Sequence, residues 1–149
     1  MERTAYKKQG ILALFGSTGV RLFAAAIVSG LGMWIVAGLY HNLLLPLVDP
    51  DVQAHHEGFD IMLYAYLILG SLMVYLHRTT YQSANRLVGG VVMGMFVGVL
   101  WTFPHGLAMA GIHGTSIPKE IMNSLWHLFE QGVGGLLVAL VIGLKLNWP

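Results

Sequence analysis

Four long stretches of the chain carry almost no charged side chains, and this pattern limits the folds that it can adopt. Leu22–Val48 and Leu87–Ile112 contain no Asp, Glu, Lys or Arg, and Ile121–Leu144 contains only Glu130. Ile61–Leu76 is shorter and equally free of charge. A helix needs roughly 20 residues to cross the hydrocarbon core, and only a helix satisfies its own backbone hydrogen bonds there. The pattern therefore predicts four transmembrane helices.

Prolines and polar residues set the expected limits of these spans. The second stretch reaches crossing length only if its helix begins near His55. We expect Pro46 to break the first span and Pro104 to bend or end the third. Residues 105–119 are expected to form an outer connection, and residues 1–18 to include an amphipathic lead-in helix on the membrane surface. The predicted fold class is an all-α membrane protein, a single domain of four transmembrane helices in an antiparallel bundle, with spans at about 22–48, 55–77, 87–104 and 121–145.

The basic residues predict the orientation of the chain. Seven of the eight fall before or at the start of span one, between spans two and three, or after span four, and only Lys119 falls on the other side. Basic residues accumulate in cytoplasmic loops. We therefore expect both termini in the cytoplasm and a multi-pass protein of a bacterial-type inner (plasma) membrane.

Composition excludes several classes of protein. Charged residues make up only 10% of the chain, against about a quarter in soluble domains. Cysteine is absent, which excludes disulfides, thiolate-bound metals, iron–sulfur clusters and covalently attached haem. The net charge of +1 gives no indication of a nucleic-acid partner, and none is predicted. The partner that composition predicts is the lipid bilayer.

Glycines recur on the third span. Gly90, Gly94 and Gly98 form a doubled Gly-x-x-x-Gly pattern, and such ridges let two helix backbones approach closely. The pattern favours helix packing. A flat cofactor lying against the glycine face is the alternative.

Six of the seven histidines belong to the predicted outer half. His55, Phe59, Met62 and Tyr66 recur at helical spacing and share one face of span two. On span four, His127 and Glu130 share a face. A charge that deep costs about 2.5–3.5 kcal/mol, so Glu130 must pair, be protonated or face a cavity.

These residues favour some cofactors over others. A di-iron bundle needs several Glu ligands and paired Glu-x-x-His motifs, which are missing here. A closed zinc site needs four N or S ligands, and no spacing in the chain indicates one. Haem b needs one axial histidine in a reactive site or two in an electron-transfer site. A neutral imidazole in an apolar, glycine-notched bundle suits it.

Several short motifs, in order, resemble one known family. They are Gly30-Leu31-Gly32-Met33-Trp34 in span one, Gln53-Ala54-His55 at the start of span two, Ala84-Asn85-Arg86-Leu87 before span three, and the glycine- and alanine-rich Gly132–Gly143. Together they resemble the styrene oxide isomerase family, small four-span membrane enzymes that contain haem b. The resemblance extends over nearly the whole chain.

The resemblance implies haem b held in a homotrimer, with His55 as the iron ligand. It implies that ferric iron acts as a Lewis acid on a lipophilic epoxide, which rearranges to an aldehyde. The residues expected to contact the cofactor are His55, Phe59, Met62, Trp101, His127 and Glu130.

Two polar helpers of the family differ in this chain. Ile61 stands where the family has an Asn on span two, and Thr102 where it has a catalytic Tyr late in span three. Tyr66, Thr102 and His105 are the expected catalytic substitutes, with Tyr66 favoured because it shares the face of His55.

Two other hypotheses remain open from the sequence. One is a b-type cytochrome or gas-binding haem protein, in which His127 or His105 joins His55 at the iron. The other is a transporter or an accessory subunit, in which Glu130 and the histidines carry protons or metal ions, or only pack.

Overall fold

The computed structural model describes residues 2–48, 59–80 and 85–143. Every regular element within these ranges is helical, and the elements are α1 (Glu2–Leu39), a π-helical turn (Tyr40–Leu44), α2 (Leu45–Val48), α3 (Phe59–Thr80), α4 (Arg86–His113) and α5 (Ile117–Gly143). The segments that are long and apolar enough to cross a membrane are Thr18–Leu47, Asp60–Thr80, Arg86–His113 and Ile117–Gly143. The prediction of an all-α protein with four such helices is confirmed.

The first helix differs from the prediction at both ends. It is continuous from Glu2, so the expected lead-in helix is not separate from the span. Its irregularity lies in the turn before Pro46, where the Leu45 amide donates to the Tyr40 carbonyl, five residues back. Pro46 has no amide hydrogen and its ring crowds the preceding turn, and a π turn accommodates both effects.

The ends of α3 and α4 are capped by side chains. The predicted start of span two at His55 and the outer turn before it lie outside the described residues. At the other end α3 continues to Thr80, whose hydroxyl donates to the Leu76 carbonyl at 2.7 Å. Asn85 caps α4 because its side-chain oxygen accepts from the amide of Leu87 at 3.1 Å.

Pro104 does not end the third span. The helix α4 continues through it to His113, and α5 begins at Ile117, so only residues 114–116 lie between them. Most of residues 105–119, which were predicted to form an outer connection, are therefore helical and continuous with α4 or α5. A proline in a membrane helix removes one backbone hydrogen bond, and neighbouring groups can compensate for that loss. Gly114 turns the chain out of the helix with a φ of 64°, a value that favours glycine.

The glycine ridge of α4 packs against α5, as predicted. A Cβ on Gly94 would collide with the backbone oxygen of Gln131, and one on Gly135 with that of Gly90. A Cβ on Gly90 would lie 2.6 Å from the Ala139 Cβ. Early residues of α4 thus face late residues of α5, and the two backbones are nearly in contact.

The helix α1 packs on α3 and α5. At its contact with α3, a Cβ on Gly30 would lie 2.8 Å from the Tyr66 backbone oxygen. The Ser29 hydroxyl donates to the Gly134 carbonyl of α5 at 3.0 Å. Met33 and Met73 fill the space between these helices and are fully buried. By contrast, α3 and α4 hardly touch each other, so they stand apart in front of α5.

Candidate functional site

A cavity of about 370 Å³ lies where α3 and α4 stand apart. Helix α3 supplies Met62, Tyr66 and Leu69 to its lining, α4 supplies Trp101, and α5 supplies His127 and Gln131. The lining is almost entirely apolar, and the cavity is partly open at the protein surface. Pockets for small ligands have volumes of about 300–1,000 Å³ and a few well-placed polar groups. The cavity fits a small lipophilic molecule.

The cavity lies on the face of α3 that the histidine spacing singled out. Met62 and Tyr66 both line it, and Tyr66 is buried. His55, the predicted start of this face, lies outside the described residues, and nothing is described of the Phe59 side chain. The two members of the face whose side chains are described therefore point to the same cavity.

The polar end of the cavity is built on α5. The His127 Nδ1 lies 3.3 Å from the Glu130 Oε2, since residues three apart are neighbours on a helix. The Gln131 Nε2 donates to the Glu130 Oε1 at 3.2 Å. Glu130 is fully buried. Of the alternatives expected for this carboxyl, a hydrogen bond from Gln131 and the proximity of His127 favour a paired group.

Two other elements bring side chains to the same carboxyl. The Tyr66 hydroxyl of α3 interacts with Glu130. The His41 imidazole of the π turn interacts electrostatically with both His127 and Glu130. The neighbouring Tyr40 ring stacks on Trp126 of α5 at a centroid distance of 4.0 Å and an interplanar angle of 10°. This stack holds the π turn against α5.

Several polar atoms of this cluster are buried without a hydrogen-bond partner among the described residues. They are the Trp126 Nε1, the His127 Nδ1, the Glu130 Oε2 and the Gln131 Oε1. The His127 and Glu130 atoms face each other at ion-pair distance but are not aligned as a hydrogen bond. Buried polar groups are nearly always satisfied, so a concentration of exceptions beside a cavity indicates a functional site.

The other predicted site residues lie elsewhere. Trp101 lines the cavity. Thr102 is buried, but its hydroxyl donates to the Gly98 carbonyl at 2.8 Å within α4. His105 is exposed on α4. Of the three expected catalytic substitutes, the structure brings only Tyr66 to the cavity.

The described residues contain no group of three or more His, Asp or Glu side chains that could hold a metal ion. A zinc site or a di-iron site held by side chains alone is therefore not formed by this part of the chain. A haem iron needs only one or two protein ligands.

Sequence reasoning missed three members of the cluster. Gln131 is a polar residue in an apolar, glycine-rich span, and this signal could have identified it. His41 is one of the six histidines of the predicted outer half, but its proximity to Glu130 depends on the packing of the π turn. Trp126 carried no sequence signal beyond its type.

Neither a family model, nor a curated protein, nor a solved structure matches this chain.

Proposed function

We propose that the chain is a haem b-dependent membrane isomerase that rearranges a lipophilic epoxide to an aldehyde. One observation carries the proposal. Met62 and Tyr66, which the helical spacing predicts to share a face with His55, line an apolar cavity that has an imidazole at its polar end. The motif resemblance supplies the reaction, and the cavity supplies a place for a substrate of this kind.

The apolar lining of the cavity supports a haem in this proposal. The group needs an apolar slot and an imidazole ligand, and the cavity between α3, α4 and α5 is apolar and open on one side. His55 would hold the iron, with Phe59, Met62 and Trp101 beside the ring. When bound, ferric haem would supply a Lewis acid for the epoxide oxygen.

The side chains of the cavity would bind and protect the substrate. Leu69, Ile68 and Trp101 offer apolar surface, and Trp101 is 68% exposed at the open side. A lipophilic substrate could enter there from the bilayer. An apolar lining also keeps water away from a reactive cation, which would otherwise be trapped as a diol.

We further propose that the four spans form an antiparallel bundle with both ends in the cytoplasm, in a bacterial-type inner membrane, and that the protein is a homotrimer. The distribution of basic residues supports the orientation. The partly open cavity is compatible with a cofactor shared between subunits.

The visible spectrum of the purified protein tests the cofactor. We expect a five-coordinate, high-spin ferric haem and turnover of a styrene-type epoxide to its aldehyde. A low-spin, bis-histidine spectrum would indicate a b-type cytochrome instead. A preparation that stays colourless after haem supplementation would refute the proposal.

We predict that His55→Ala abolishes haem retention, because it removes the proposed iron ligand. The measurement is haem content per protein. His113→Ala is the matched control, since His113 is exposed at the end of α4, and it is expected to retain haem fully. Full haem occupancy in His55→Ala would remove His55 from the site.

The buried cluster favours one second candidate, a proton-carrying membrane subunit. Glu130 is fully buried, lies beside His127 and interacts with His41 and Tyr66. Intramembrane carboxyls of this kind mark proton relays. A colourless protein that conducts protons into vesicles, and loses this with Glu130→Gln, would favour this candidate.

A further inference from the structure

We infer that the His127 Nε2 donates a hydrogen bond to the oxygen of the molecule bound in the cavity, and that Glu130 positions the imidazole for this task. The inference rests on the proposed function in taking the cavity as the substrate site. His127 would take over the role of the family's Asn and Tyr, whose positions hold Ile61 and Thr102 in this chain.

Nδ1 of the ring faces Glu130, so Nε2 is the ring nitrogen that remains for a molecule in the cavity. The Nδ1 edge is buried against the Glu130 Oε2 at 3.3 Å. The side chain is nevertheless 20% exposed and belongs to the cavity lining. The exposed part is therefore the rest of the ring, in which Nε2 is the remaining polar atom.

Two charge states of the pair place a proton on Nε2. If His127 and Glu130 form an ion pair, both ring nitrogens carry protons. If both are neutral, the ring proton lies on Nε2 when the glutamic acid points its proton at Nδ1, and on Nδ1 when the ring points its proton at the carbonyl oxygen of the acid. A neutral ring beside an ionised Glu130 would leave a net negative charge buried in the span. Such a charge is costly unless a cation compensates it.

Few of the described residues near His127 and Glu130 could supply the positive charge that would compensate an ionised Glu130. Gln131 donates to the carboxyl but is neutral, and the Tyr66 hydroxyl is not a cation. From α4, the cavity receives Trp101 and no described ionisable side chain. His41 on the π turn is the one described group near the pair that could carry a positive charge. A proton on His41 beside an ionised Glu130, or a neutral pair with the ring proton on Nδ1, would leave Nε2 bare, and either state predicts an unshifted nitrile band in the experiment below.

A donor at this position suits the proposed reaction. As the epoxide C–O bond breaks, the electron pair stays on oxygen, and a fixed donor stabilises the charge that develops there. Hydride then moves from the carbon that bears the oxygen to the neighbouring cationic carbon, and the oxygen pair forms the C=O bond. No oxidant is consumed, and the His127 proton is retained. The ligands that such a site accepts are lipophilic molecules with one hydrogen-bond acceptor.

A nitrile probe tests the donor directly. 2-Cyanonaphthalene is bound to the full-length protein in lipid nanodiscs, and its nitrile infrared band is compared with that in empty nanodiscs. We expect a bound band shifted to higher wavenumber, the signature of a hydrogen bond to the nitrile nitrogen. His127→Phe is expected to lose the shift. Ser124→Ala is the matched control, because it removes a buried polar group of α5 outside the cavity lining, and it is expected to keep the shift.

Two further measurements separate positioning from folding. Glu130→Ala is expected to weaken or broaden the shifted band per bound probe, with partial rescue in Glu130→Asp, whereas a purely structural role would change only the amount bound. The wild type alone is expected to bind 2-cyanonaphthalene about five- to tenfold more tightly than 2-ethynylnaphthalene, a similar shape without the acceptor, as one net hydrogen bond implies.

The possible outcomes are distinct. An unshifted nitrile band, equal affinity for the two naphthalenes, or no binding of either would overturn the inference. An unchanged band in His127→Phe would also overturn it. A shifted band in a protein that holds no haem and isomerises no epoxide would leave the inference standing and refute the proposed function.

Discussion

The contact between α4 and α5 and the gap between α3 and α4 show how one helix can have a tight and an open side. Toward α5, Gly90 and Gly94 leave the backbones almost touching. Toward α3, Trp101 of α4 and Leu69 of α3 both line a cavity of about 370 Å³. Lipid is as apolar as leucine, so contact in a membrane depends on how closely the backbones can approach. Small residues bring helices together, and large residues at the facing positions leave room for a ligand.

The largest effect is expected at the tight contact. Gly94→Leu places a side chain against the Gln131 backbone oxygen, where no flexible atom can move aside. We expect a loss of about 3 kcal/mol or more in the free energy of unfolding, at the upper end for overpacked sites. The measurement is thermal unfolding in detergent.

Gly111→Leu is the control for that variant. Gly111 lies on the same helix, and a Cβ added there would have nothing within 4 Å of it. Replacing an exposed helical glycine is expected to leave stability unchanged or raise it by up to about 1 kcal/mol. Equal unfolding temperatures for the two leucine variants would contradict the view that the α4–α5 contact depends on its glycines.

A smaller effect is expected where α1 is tied to α5. Ser29→Ala removes the hydroxyl that donates to the Gly134 carbonyl. Hydrogen bonds between membrane helices contribute about 0.6 kcal/mol on average and up to about 1.7 kcal/mol, so we expect a loss within this range in the same unfolding assay. Ser71→Ala, which removes an exposed hydroxyl bonded within its own helix, is expected to change stability by less than about 0.5 kcal/mol. A larger loss of unfolding free energy in Ser71→Ala than in Ser29→Ala would argue against a stabilising Ser29–Gly134 hydrogen bond.

The smallest effect on stability is expected in the open region. Ala65 is exposed and lines the cavity, so Ala65→Phe adds a ring to empty space with a change in stability of less than about 0.5 kcal/mol. The same variant is expected to weaken binding of 2-cyanonaphthalene about tenfold or more, because the ring occupies the ligand volume. Ser71→Phe on the same helix, outside the lining, is expected to bind the probe normally. Unchanged binding in Ala65→Phe would place the ligand elsewhere.

Much of the fold followed from local sequence patterns. The four membrane-length helices, the packing role of Gly90, Gly94 and Gly98, and the common face of Met62 and Tyr66 all depend on residue type and helical spacing. The need for a partner at Glu130 followed from the cost of a charge in hydrocarbon. His127, one helical turn away, was the nearest candidate, and the structure places it there.

Other features did not follow from spacing. Pro104 was expected to bend or end span three, and it does not end it, because a single missing backbone hydrogen bond does not stop a helix that its neighbours support. Gln131 escaped notice because a neutral amide carries a weaker sequence signal than a charge. Thr102 and His105 lie close in sequence to Trp101, yet neither lines the cavity. Position along a helix does not tell which gap between neighbours a side chain will face.

Composition and helical periodicity alone determined that the chain forms four membrane-length helices. They also indicated that glycines let two of these helices pack closely, and that one buried carboxyl must pair, be protonated or face a cavity. These properties are local, since each depends on residues within a few turns of one another. The tertiary structure decided which helices stand apart, and it brought His41 and Tyr66 to the carboxyl of Glu130. Residues so distant in sequence meet only through the packing of spans one, two and four, and no local spacing encodes that arrangement.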